Sequence, residues 1–115
     1  MNLLRPILIL VLSLASISLA QAHAFLDHAD PKVGSTVAAP TQVTVYMTED
    51  LEAAFSKLKV LDAKGNEVDK KDLKISGSTM TVSVPPLAAG TYKVAWSAVA
   101  VDTHHTTGTF TFTVQ

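Results

Sequence analysis

Thr91-Tyr92-Lys93-Val94-Ala95-Trp96-Ser97-Ala98-Val99-Ala100-Val101 and Thr109-Phe110-Thr111-Phe112-Thr113-Val114 read as two strands, and Asp102-Thr103-His104-His105-Thr106-Thr107-Gly108 lies between them. Tyr92, Val94, Trp96 and Ala98 recur every second residue. So do Phe110, Phe112 and Val114 against Thr109, Thr111 and Thr113. That period is the signature of a strand with one face buried. If the connecting segment stays extended, Asp102 and His104 point the same way and His105 points the other. A carboxylate beside an imidazole is half of a hard-to-borderline metal site. His105, on the opposite parity, is then a non-ligand or an outer-shell group.

Further strands are legible upstream. Val43, Val45 and Met47 alternate with Thr44 and Tyr46, and Leu58 and Val60 with Lys57 and Lys59. Leu73 and Ile75 mark a short strand, which Gly77-Ser78 connects to Met80, Val82 and Val84 as a hairpin. Pro85-Pro86 stops that run. His23 to Leu26 reads as a short edge strand, followed by a loop through Asp30-Pro31 and Gly34-Ser35. His28 falls in that polar loop. The segment Thr48 to Phe55 reads as one helical turn or an irregular loop. About seven short strands with no long helix predict an all-β, antiparallel two-sheet sandwich. Trp96, Tyr92, Phe110, Phe112 and the alternating valines would form its core. Met47 and Met80 fit strand positions and read as core packing.

The first 22 residues have a different character. Arg5 precedes an apolar run, Ile7 to Leu19, and Ala20-Gln21-Ala22 fits the small-x-small cleavage rule. This predicts a Sec-type signal, residues 1–22, cleaved to leave one domain, residues 23–115. Cleavage would make His23 the first residue and give it a free amine next to its imidazole. Removing Arg5 leaves eight lysines against ten acidic residues, a formal charge of −2. No basic excess exists to attract nucleic acid. The chain has no cysteine, so disulfides and thiolate metal sites are excluded.

A histidine directly after the cut, a loop ending in Asp30-Pro31, the run Gly90-Thr91-Tyr92-Lys93-Val94-Ala95-Trp96, and Asp102-x-His104-x-x-x-Gly108 together resemble the CopC-type copper resistance proteins. The resemblance spans essentially the whole mature chain. It implies an immunoglobulin-like, Greek-key sandwich or barrel, a periplasmic location, and one Cu(II) ion per chain. It implies ligation by His23 through amine and imidazole, by Asp102 and by His104. It further implies a monomer that sequesters or carries copper, without enzymatic activity, and a CopD-like inner-membrane partner. Some family members also carry a methionine-rich loop for Cu(I); here only Met47 and Met80 follow the signal. Glu49 lies where a family loop approaches the site, as a candidate outer-shell acceptor.

Cu(II) suits this donor set because it favours nitrogen and oxygen donors in a tetragonal plane and tops the first-row affinity order. An α-amino group, with a pKa of about 7.7–8.0, is deprotonated at little cost near neutrality. Two other readings stand beside this one. An N-terminal histidine chelating copper also occurs in lytic polysaccharide monooxygenases, although so small a domain leaves little flat area for a polysaccharide. A metal-free adhesion or assembly sandwich would make His23, Asp102, His104 and His28 ordinary surface residues.

Overall fold

The computed structural model describes residues 24–115; the expected signal, residues 1–22, and His23 lie outside the described residues. Eight strands follow one another: β1 (Leu26–Asp30), β2 (Thr36–Val37), β3 (Gln42–Met47), β4 (Lys57–Leu61), β5 (Lys74–Ser76), β6 (Thr79–Ser83), β7 (Gly90–Val99) and β8 (His105–Val114). One sheet has the order β1-β3-β6-β5 and the other β2-β8-β7-β4. The chain passes back and forth between the sheets, as in an immunoglobulin-like Greek-key sandwich. All pairings are antiparallel except β2 on β8, which is parallel.

The alternating residues face inward from both sheets. Val43, Val45, Val60, Val94, Met80 and Phe112 are almost wholly buried, and Trp96, Tyr92, Phe110 and Met47 nearly so. Each such side chain contributes about 1.5–3 kcal/mol through removal from water. Tyr92 stacks on Phe112 with ring centroids 5.7 Å apart, and its hydroxyl donates to the Ala88 carbonyl at 2.7 Å. That satisfies the one polar atom the ring carries inward. With no cysteine to cross-link it, the domain is held by this packing and by its ladders.

Three expectations need correction. Strand β2 was not visible in the sequence, because Thr36-Val37 is too short to show a period and its pairing with β8 supplies the order. The edge strand at the start runs Leu26–Asp30, so His28 lies on a strand instead of in a loop. It is exposed there and stacks on Tyr46, its cross-strand neighbour, with centroids 4.2 Å apart and planes 6° from parallel. The last strand begins at His105, four residues before the expected Thr109, because the β7–β8 ladder continues from Gly90↔Val114 to Val99↔His105. Between Thr48 and β4 the chain makes a short 3-10 turn, Ala53–Phe55, with no side-chain cap.

Candidate metal centre

The β7–β8 hairpin ends in a tight turn over Ala100 to His104. The Thr103 amide donates to the Ala100 carbonyl at 2.7 Å, and the Ala100 amide to the His104 carbonyl at 3.0 Å. Thr103 has φ 75°, so the chain reverses there and is not extended. The parity argument for Asp102 and His104 therefore fails. The two side chains nevertheless meet, by another route. Asp102 Oδ1 accepts the His104 backbone N–H at 3.1 Å, an Asx turn that replaces one backbone hydrogen bond. Its second oxygen, Oδ2, is left facing the His104 ring, 3.2 Å from Nδ1. The same carboxylate thus shapes the turn and sits beside the imidazole. Asp102 caps the turn through one oxygen, and that is what brings its other oxygen to the His104 ring.

His105 is directed elsewhere. It is the first residue of β8, opposite Val99, and its Nε2 is 2.7 Å from Ser97 Oγ. The start of β8 beyond the turn, and not strand parity along an extended segment, sets this direction.

The turn is clamped from below. Leu51 bridges Ala100, the Glu52 amide donates to the Val99 carbonyl at 2.7 Å, and the Val101 amide donates to the Asp50 carbonyl at 3.1 Å. Ser56 is buried, accepts the Val99 N–H at 3.0 Å and donates to the Glu52 carbonyl at 3.0 Å. The loop containing Glu49 thus forms the floor of the turn through its neighbours, Asp50 to Glu52. Sequence reasoning missed Ser56; a single serine before a strand carries no signal of a contact 43 residues away.

The start of the described chain reaches the same end of the sandwich. Ala24 is fully buried, and its carbonyl accepts a 2.5 Å hydrogen bond from Thr106 Oγ1. Phe25 is tied to Thr48, its N–H donating to Oγ1 at 2.9 Å and its carbonyl accepting the Thr48 N–H at 2.8 Å. Thr106 stands two residues after His104. Thr48 and Thr106, both unremarkable in sequence, therefore tether the residues that follow His23. Among the described residues no three histidine, aspartate or glutamate side chains converge, so Asp102 and His104 form a two-member group there. Both are accessible, with side-chain exposures of 36% and 58%. A pair of this kind can give a cation one nitrogen and one oxygen, and needs further donors to complete a plane.

Gly108 is explained by a close approach. A β-carbon on it would fall 2.4 Å from the Trp96 ring, its partner across the ladder. The indole lies over the glycine, so the last residue of the Asp-x-His-x-x-x-Gly segment is set by core packing and not by metal chemistry.

Comparison with known proteins agrees with this architecture. The chain is 41% identical over 107 residues to copper resistance protein C of Pseudomonas syringae pv. tomato, covering 85% of each. The crystal structure of PcoC, a methionine-rich copper resistance protein from Escherichia coli, superposes with a TM-score of 0.73 at 37% identity, over 82% of this chain and all of that one. A match of 31% identity over 98 residues to the copper transport protein CutJ of Bacillus subtilis covers 81% of this chain but 18% of that protein. The CopC domain family matches residues 26–115, from the first strand to the end of the chain, and this protein belongs to that family.

Proposed function

We propose that the protein, exported to the periplasm and cut after Ala22, is a monomer that holds one Cu(II) ion and passes it to a CopD-like inner-membrane partner. The ligands are the His23 amine and imidazole, Asp102 and His104. The observation that carries the reading is the hydrogen bond from Thr106 to the Ala24 carbonyl. Residue 23 is one peptide bond from Ala24, and adjacent Cα atoms are about 3.8 Å apart. Thr106 is in turn two residues from His104.

The side chains suit the ion. With its Nδ1 turned to the Asp102 carboxylate, His104 would bind through Nε2, the carboxylate fixing the tautomer and raising the basicity of the ring. Asp102 would share the ion through its carboxylate while orienting the ring. The dication favours the ionised carboxylate. Four donors with one carboxylate suit retention of the ion more than reaction at it, which accords with a family of copper resistance proteins that are not enzymes.

Cu(II) titration of the correctly processed protein, read by electron paramagnetic resonance, tests the proposal. Wild type should take up one ion with a multi-nitrogen spectrum. One residue added before His23 should remove the high-affinity site, because the amine no longer closes a ring with that imidazole. Unchanged affinity in that variant would overturn the ligand assignment.

A further inference from the structure

We infer that the pole carrying Asp102 and His104 is also a protein-docking face, whose occupant is a copper transport protein meeting it with basic side chains around an apolar centre. This rests on the copper-carrier reading and adds where the exchange takes place. The large hydrophobic side chains exposed among the described residues are Phe25, Val33, Phe55 and Val101, at 51, 56, 65 and 56%. Phe25, Phe55 and Val101 belong to the segments that build the candidate metal centre. Phe25 follows the tethered Ala24 and pairs with Thr48; Phe55 closes the 3-10 turn whose Glu52 and Ser56 hold Val99; Val101 precedes Asp102. Ala53 and Ala54, exposed beside Phe55, extend the apolar character. Single exposed hydrophobics need no explanation, but several on adjoining loops mark an interaction surface.

Charge narrows the occupant. The loops of this pole, residues 48–56, 77–78 and 100–104, contain Glu49, Asp50, Glu52 and Asp102, against one exposed lysine, Lys57, where β4 begins beside them. Such a face repels an identical face and an anionic bilayer, and attracts a partner with a basic rim. The CutJ match supplies the kind of partner: a domain of this type occupies 18% of a chain that is a copper transport protein. Where the domain is a separate chain, the equivalent association requires a surface. Asp102 and His104 are exposed on this pole, so a docked partner's donors could reach the ion there. A patch built from three large side chains predicts a small, transient interface, below about 1,200 Å² in total.

The test places a photoreactive benzophenone side chain at position 55 of the full-length exported protein, in copper-grown cells. A second protein carries it at Lys64, in the loop after β4 at the other end of the sandwich. Adducts should form from position 55 and not 64, with a protein identified by mass spectrometry as a copper transport protein. High salt should diminish them. In parallel, Phe55→Ser/Val101→Ser should keep Cu(II) affinity within about twofold, since neither side chain offers a donor to the metal. It should lower copper delivery into the cell at least fivefold. Equal labelling from both positions, capture of a second copy of this chain or of lipid, no adduct, or wild-type delivery by the double variant would each overturn the proposal. Adducts from a protein that fails to take up Cu(II) would leave the docking face standing and remove the ligand assignment instead.

Discussion

The two oxygens of Asp102 are used differently. Its Oδ1 holds the turn and its Oδ2 faces His104. Replacing it with asparagine should keep the turn, because the amide oxygen can still accept the His104 N–H, but lose the anionic donor. Thermal denaturation should change little, while Cu(II) affinity should fall by tenfold or more in a titration. His104→Ala should abolish tight binding and His105→Ala should not, since His105 is committed to Ser97. Thr103 adopts positive φ with a β-branched side chain, which costs roughly 1–3 kcal/mol. Thr103→Gly should therefore raise the melting temperature. Loss of stability in that variant would show that its side chain compensates for the strain.

At the scale of elements, the candidate centre is the end of a hairpin gripped by the loop before β4. Ser56→Ala leaves the Val99 amide without its acceptor inside the protein, a loss of about 1–3 kcal/mol measurable by denaturant unfolding. Because Val99 begins the descent into the turn, the Cu(II) spectrum of that variant should broaden as well. Gly108→Ala forces the Trp96 ring to shift, and overpacking of this kind costs typically 1–3 kcal/mol. Trp96 emission should move with the melting temperature. The turn after β4 obeys different physics. Asp62 accepts the Asn66 and Lys64 amides, and chiefly the first holds its carboxyl below the ordinary aspartate value. Its contribution to stability is present above the unfolded pKa and is lost as pH falls through the lowered folded one.

Over the whole molecule, the acidic loops and the Asp102–His104 pair lie together at one end of the sandwich. Copper that binds only the folded state should stabilise it by about 2.7 kcal/mol at a free concentration one hundred times Kd. In a domain of this size that corresponds to a rise on the order of 10 °C or more in Tm. Binding releases protons, so the rise should shrink as the medium is acidified. Calorimetry with and without Cu(II) at two pH values checks both statements. No shift on addition of copper at neutral pH would mean that the folded state offers the ion nothing the unfolded chain lacks.

The sequence by itself determined the sandwich, because period-2 burial is a local property: Tyr92, Val94, Trp96 and Phe110, Phe112, Val114 can hide together only as strands. It also singled out Asp102 and His104 as a candidate pair, and the structure brings those two side chains together. It misjudged how they meet, because a reversal at Thr103 depends on a ladder that continues to Val99↔His105 and on a floor supplied by residues 50–56. Only the tertiary structure decided that Thr106 would hold the Ala24 carbonyl, that Ser56 would anchor Val99, and that Phe25, Phe55 and Val101 would stay exposed. Those contacts join residues far apart along the chain, and no local pattern encodes a hydrogen bond between them.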